Sequence, residues 1–160
     1  MRASDSHTLN FVRHFQKNQA KMIQEFISNS PEKTFEIGGN FGKTLLGGEV
    51  ILYFGGLGAG KTLFTKGILS SLEYDIDEVT SPSFSLVNLY NARFKVYHID
   101  LWRIENDAEF AVGLDEILEE ENAIVVIEWS ERLKNLDFGR KVYKVSISGD
   151  GEEPRKISIE

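Results

Sequence analysis

An apolar run, Glu49–Phe54, leads directly into the segment Gly55-Gly56-Leu57-Gly58-Ala59-Gly60-Lys61-Thr62, and an apolar-periodic stretch follows to about residue 72. No other feature of this 160-residue chain constrains its fold as tightly. The segment meets G-x-x-x-x-G-K-[ST] at every fixed position and sits between a strand pattern and a helix pattern, the context that a phosphate-binding loop requires. Gly55, Gly58 and Gly60 allow positive φ and a close backbone approach to anionic oxygens. The amide N–H groups then converge at the start of a helix, whose positive dipole end favours phosphate. Lys61 supplies a point charge for β- and γ-phosphates, and Thr62 a hydroxyl for Mg²⁺. Gly55, Gly58, Ala59, Gly60, Lys61, Thr62 and Leu63 are the candidate nucleotide-binding positions.

A strand feeding such a loop points to an α/β protein, a compact three-layer sandwich around a mixed, mainly parallel sheet. The length suits one domain. With 41% hydrophobic and 27% charged residues the chain has the composition of a globular protein. We expect strands at Glu49–Phe54, Ser85–Tyr90, Lys95–Asp100, Ala123–Glu128, Arg140–Ser148 and Arg155–Glu160, the last two at sheet edges. Ser85–Tyr90 and Lys95–Asp100 should form an antiparallel hairpin through Asn91-Ala92. Helices are expected at 31–46, started by Ser30 and Pro31, at 61–72, and at 106–121, where Asn106 and Glu109 fit a capping pair. Gly38, Gly39 and Gly42 weaken the first of these. Phe11, Phe15, Met22 and Phe26 share one face of an amphipathic helix over about 9–27, so residues 1–30 read as a helical extension and 31–160 as the nucleotide-binding domain.

The longest apolar runs are about five residues, far short of the ~20 needed to cross a bilayer. No secretory signal pattern is evident and there are no cysteines, so a cytoplasmic protein is the simplest expectation. Residues 1–30 hold four Lys/Arg against two Asp/Glu, leaving 14 against 23 in the remainder, so the body carries −9 within a total of −7. That is the wrong sign for a broad nucleic-acid platform, and any role near RNA should pass through a protein partner.

A phosphate loop also needs a carboxylate for the cation and a group that polarises water. Two strand patterns end in carboxylates, Asp100 and Glu128, and parallel neighbours of the loop's strand would bring both to one rim. The hydroxyl-rich loop Thr80-Ser81-Pro82-Ser83-Phe84 could bring Ser83 to the metal or γ-phosphate as switch loops do. Trp129 reads equally as core or as a functional aromatic, and His98 as a structural residue satisfied within its strand. Lys134-Asn135-Leu136-Asp137 has the wrong order for guanine recognition, which favours ATP over GTP.

GGLGAGKT at 55–62, SPSFSLVNLY at 81–90, VYHIDLWR at 96–103 and VIEWSE at 126–131, in this order and spacing, closely resemble the bacterial TsaE family, over about residues 31–131. The resemblance implies a small ATPase that works with two partners, TsaB and TsaD, in transferring a threonylcarbamoyl group to adenosine 37 of tRNAs that read ANN codons. It further implies Thr62 and Glu128 as Mg²⁺ ligands, Asp100 as an acidic residue supporting the metal or water, and Thr34, Ser83 and Trp129 near the nucleotide. Three positions depart from the family pattern: Gly56 replaces a usual Asp, Leu63 a usual second Thr, and Ser83 a usual Thr. A small-molecule kinase and a nucleotide-binding regulatory module without turnover are the alternative readings; the dispersed arginines of the body speak against the first.

Overall fold

The computed structural model describes residues 22–133 and 136–160, and it is an α/β sandwich around a seven-stranded mixed sheet. The strands are β1 (Gln24–Ser28), β2 (Val50–Phe54), β3 (Val87–Asn91), β4 (Lys95–Asp100), β5 (Ile124–Glu128), β6 (Val142–Ser148) and β7 (Arg155–Ile159), in the order β1-β7-β6-β2-β5-β4-β3. The central ladders β6–β2, β2–β5 and β5–β4 are parallel, while β1–β7, β7–β6 and β4–β3 are antiparallel. Parallel pairing is thus confined to the middle of the sheet, where both faces are covered. The expected hairpin is β3–β4, paired from Val87 opposite Ile99 to Asn91 opposite Lys95.

Side-chain alternation divides the core in two. Ile51, Tyr53, Ile124, Val126, Val145 and Ile157 pack under helices α1 (Pro31–Gly42) and α2 (Lys61–Ser71). Val50, Ile99, Val125 and Ile127 face the other way, onto the short helices α3 (Ala108–Ala111) and α4 (Leu114–Glu119). All of these strand residues are essentially inaccessible to solvent.

The glycines that weaken the α1 pattern explain how it packs. A Cβ on Gly38 would lie 2.3 Å from Phe64 O, one on Gly67 2.2 Å from Phe35 O, and one on Gly42 2.2 Å from Ser71 Oγ. Helices α1 and α2 therefore meet backbone against backbone. Ser30 caps α1 by accepting the Lys33 N–H at 3.1 Å, with Pro31 at the first helical position as expected.

Three expectations need correction. Most of the expected 9–27 helix lies outside the described residues, but its last part is strand: β1 pairs with β7 from Gln24 opposite Ile159 to Ser28 opposite Arg155. The body of the protein therefore reaches back to at least Gln24, and neither β6, between β7 and β2, nor β7, between β6 and the edge strand β1, lies at the sheet edge. The 106–121 helix starts only at Ala108, and Gly113, at φ +63°, breaks it into α3 and α4.

Gly67→Ala tests the helix contact. Helix propensity alone favours the alanine by about 1 kcal/mol. The backbone clash opposes it, and overpacking of this kind costs about 1–3 kcal/mol. We expect the clash to win, lowering the urea midpoint of unfolding.

Candidate phosphate-loop site

The loop between β2 and α2 is glycine-rich for two separate reasons. Gly55, Gly58 and Gly60 have φ of +150°, +76° and +111°, the conformations expected of them. Gly55 is also pressed against the sheet, since a Cβ there would lie 2.3 Å from Ile147 O. Gly56 has nothing within 4 Å of its missing Cβ, so packing does not require glycine there. Helix α2 opens at Gly60 with no side chain bonded to its first amides and no acidic residue in its first turn. Those amide donors are left to an incoming anion.

Lys61 lies across the loop. Its Nζ donates to Gly55 O at 2.8 Å and Gly56 O at 2.9 Å, stands 3.9 Å from Glu128 Oε2, and lies 5.4 Å from the centroid of the Trp129 ring. Asp100 and Glu128 are ladder partners at the ends of adjacent parallel strands. Both are buried, and both line a cleft of about 400 Å³ together with Gly58–Leu63, Ser81, Ser83, Trp102, Arg103 and Trp129. The convergence expected of two strand-end carboxylates is therefore present. Asp100 Oδ1 accepts the Trp102 N–H at 2.8 Å. Glu128 Oε1 lies 2.8 Å from His98 Nε2.

Trp129 adopts φ +58°, a strained value for a large side chain, immediately after β5. Its ring stacks at a tilt on Trp102, with centroids 4.8 Å apart. Ser130 Oγ anchors the same turn by donating to Tyr53 O at 3.2 Å. The Thr80–Phe84 loop is pinned at one end by Tyr90 and Asn88, which donate to Thr80 O at 3.0 and 3.2 Å. Leu86 N donates at 2.8 Å to the O of Pro82, the buried middle residue of the loop. Ser83 shares a 2.6 Å hydrogen bond with Ser81, while Phe84 is 84% exposed beneath the Arg103 guanidinium.

A second cleft of about 440 Å³ lies on the other side of the loop, lined by Ser30, Thr34, Gly58–Gly60, Leu63, Glu153 and Arg155 among others. Thr34 is beside the loop, as expected, but its buried hydroxyl is already paired with Ser28 Oγ at 2.8 Å. Arg155 Nε donates to Ala59 O at 3.1 Å. Sequence reasoning did not find that contact, which joins positions 96 residues apart. His98, expected to be a satisfied structural residue, bonds Glu128 through Nε2, but among the described residues its buried Nδ1 has no partner. Its spacing of two from Asp100, which puts both on one face of β4, was the available signal.

Beneath the loop, Thr65 Oγ1 donates to Lys61 O at 3.0 Å and is bonded to Tyr53 OH at 2.9 Å. Thr65 has one hydroxyl hydrogen, so Tyr53 donates to it. Burial pushes the Tyr53 hydroxyl far above its ordinary value, with the Glu128 charge adding in the same direction, so it stays a neutral donor.

The family model described as threonylcarbamoyl adenosine biosynthesis protein TsaE matches residues 28–157. The chain belongs to the TsaE family. It is 38% identical over 117 residues to the tRNA threonylcarbamoyladenosine biosynthesis protein TsaE of a Nostoc species, covering 71% of each chain. To the TsaE proteins of Aquifex aeolicus and Treponema pallidum it is 36% identical over 141 and 134 residues, covering 87% and 83% of this chain and 97% of each relative. The crystal structure of the Bacillus protein YdiB is similar to it at a TM-score of 0.65 and 26% identity, over 86% of this chain and 84% of that one. As a TsaE protein, the chain has its role in the biosynthesis of threonylcarbamoyladenosine in tRNA.

The polar brace under the loop can be tested by a double-mutant cycle. Thr65→Val leaves the buried Tyr53 hydroxyl unpaired and should cost about 1–3 kcal/mol in denaturant unfolding. Adding Tyr53→Phe should cost less than the sum of the two single changes, since both partners are then gone.

Proposed function

We propose that the chain binds ATP with Mg²⁺ at Gly55–Leu63 and hydrolyses it, as the nucleotide-driven subunit of the machinery that makes N6-threonylcarbamoyladenosine at position 37 of tRNA. The observation that carries this reading is the meeting of a phosphate loop, Lys61 and two buried carboxylates on one cleft.

The donor set fits magnesium. The cation prefers hard oxygen ligands and usually takes only one or two carboxylates, completing its shell with phosphates and water. Thr62 and Glu128 would hold it, with Asp100 supporting the metal or the attacking water. Among the described residues no cluster of three or more His, Asp or Glu forms an all-protein metal site, which agrees with a cation that arrives with its nucleotide. When bound, Mg²⁺ neutralises charge developing on the β- and γ-oxygens.

The residues of the chain do the rest. The free amides at the start of α2 cradle the phosphates. Lys61 exchanges Gly55 O and Gly56 O for phosphate oxygens, an exchange of partners within hydrogen-bond reach of the same loop. The nucleoside lies toward the second cleft, beside Thr34, Leu63 and Arg155. Ser83 and Trp129 close over the phosphate side.

The reading extends to partners. Leu57, on the loop tip, is 86% exposed, and Phe84, next to the cleft-lining Ser83, is 84% exposed, two large apolar side chains beside the site. Such a rim suits a protein lid, and TsaB and TsaD are the partners proposed for it. Docking there orders the Thr80–Phe84 loop, accelerates hydrolysis, and lets hydrolysis reset the complex. The acidic body leaves tRNA contact to those partners. Among the described residues no helix is long and apolar enough to cross a membrane, and the cytoplasm, where tRNA is modified, is the proposed location.

ATP turnover of the full chain, alone and with TsaB and TsaD, tests this. The chain's two tryptophans both line the cleft, so their emission reports binding separately from turnover. We expect partners to raise the rate at least tenfold. Lys61→Ala should lower it about 100-fold or more, the scale of losing a charge that stabilises a transition state. Equal rates for the chain alone, the complex and Lys61→Ala would defeat the proposal. ATP-dependent emission changes with no ADP formed would point to a binding module without turnover.

A further inference from the structure

Alternation along β4 puts His98 and Asp100 on the same sheet face, under α2, and the parallel ladder sets Glu128 directly beside Asp100. His98 is fully buried at 0% exposure. Among the described residues the imidazole makes one hydrogen bond, from Nε2 to Glu128 Oε1 at 2.8 Å, and Nδ1 has no partner. A carboxylate oxygen accepts, so Nε2 is the donor of this bond. A ring buried on these terms adds little to packing that a hydrocarbon would not add more cheaply. What it does provide is a fixed direction for Glu128.

The carboxylate has two oxygens with separate surroundings. Oε1 is held from inside the sheet by His98, and Oε2 is turned toward the loop, 3.9 Å from Lys61 Nζ. A free glutamate side chain samples many rotamers and loses that freedom when it engages a ligand. The His98 contact removes much of the freedom beforehand.

We propose that His98 is a positioning residue: its Nε2–H holds Glu128 Oε1 so that Oε2 is presented to the cation and phosphate side of the cleft. The proposal rests on the reading of Glu128 as a cation ligand in ATP hydrolysis. It resembles the way that hydrogen bonds outside a metal's immediate ligands orient those ligands, where loss of the outer partner lowers metal affinity or activity about 10–100-fold.

The test compares His98→Phe, which keeps a ring but no donor, with His98→Gln, whose amide N–H reaches toward the same oxygen. For each full-length variant we would measure thermal unfolding, ATP turnover, and the Mg²⁺ concentration giving half the tryptophan emission change at saturating ATP. His98→Phe is expected to raise that Mg²⁺ midpoint and lower kcat by about 10–100-fold, with KM for ATP changed less than threefold. His98→Gln should restore both quantities to within a few-fold of the parent. If His98→Phe does not fold, His98→Asn, whose amide stops short of Oε1, takes its place in the same comparison.

A donor-less variant with parental Mg²⁺ midpoint and kcat overturns the positioning role. So does a His98→Gln protein that is folded but as impaired as His98→Phe, because shape and not the donor would then matter. Glu128→Gln separates the two levels of the argument. Parental turnover and Mg²⁺ dependence in Glu128→Gln would overturn the cation-ligand reading itself. Loss there, with His98 variants unaffected, would overturn only the positioning of Glu128 by His98.

Discussion

The backbone contact between α1 and α2 sets the position of everything at the phosphate loop. Helix α2 begins at Lys61, so any displacement of its axis displaces the first-turn amides and the lysine together. The axis is fixed on one side by the sheet, through Phe64 and Ile68, and on the other by α1 at a distance that only glycine permits. At Gly60 the reason for glycine is different: a Cβ there would meet Thr34 Cγ2 on α1 at an ordinary 3.6 Å, but the φ of +111° disfavours any other residue. Weak helix formers inside α1 are thus exchanged for a close and well-defined helix pair, and the loop inherits that definition. Gly55 does the same at the other end, where the loop leaves β2 against Ile147 O.

On this frame the protein buries Lys61, Asp100 and Glu128, at 6%, 3% and 4% exposure. Removing a charge from water costs several kcal/mol even after relaxation, and a hydrophobic replacement of a buried ion pair is often neutral or stabilising. Stability therefore does not account for these residues. Their pairings are also looser than stability would favour: Lys61 and Glu128 stand 3.9 Å apart, and Lys61 spends two of its donors on loop carbonyls. Each of those contacts can be exchanged for an anion with little rearrangement. The strained φ of Trp129 belongs with them, because it turns an aromatic face toward Lys61 where a relaxed backbone would carry the side chain elsewhere.

How much of this was legible in the sequence follows from the range of each interaction. The phosphate loop, its helix and the β3–β4 hairpin are local, and each was readable from short patterns. Asp100 and Glu128 were found because both end apolar runs, and a parallel ladder needs no further information to align them. The strand at Gln24–Ser28 was not legible, because Met22, Ile23, Phe26 and Ile27 also fit one helical face. Pairing with β7, about 130 positions later, decides the matter by a contact that no local period reveals. The 106–121 helix failed at Gly113, where a left-handed residue permits a turn that the apolar stripe of Leu114 and Ile117 does not announce. Arg155 was invisible for the same reason as β1: its partner, Ala59, is distant in sequence.

The distribution of charge and apolar surface supports the proposal that this site serves tRNA modification through a protein partner. A protein that held tRNA itself would need Lys and Arg gathered on a face to replace counterions along the phosphate backbone. Residues 31–160 of this one carry −9, and its most exposed apolar side chains near the site are Leu57 and Phe84. Phosphate groups repel an acidic surface, whereas a protein partner gains by covering Leu57 and Phe84. A partner seated there would also exclude water from Lys61, Glu128 and the phosphates, and low dielectric strengthens each of their interactions. The same seat would press on the Thr80–Phe84 loop, which is pinned at Thr80 and at the buried Pro82, while Ser83 and Phe84 beyond them are held by the Ser81–Ser83 bond and the Arg103–Phe84 stack. Coupling between partner and nucleotide then needs no long pathway, because Phe84 on the outside and Ser83 on the inside are adjacent residues of one loop.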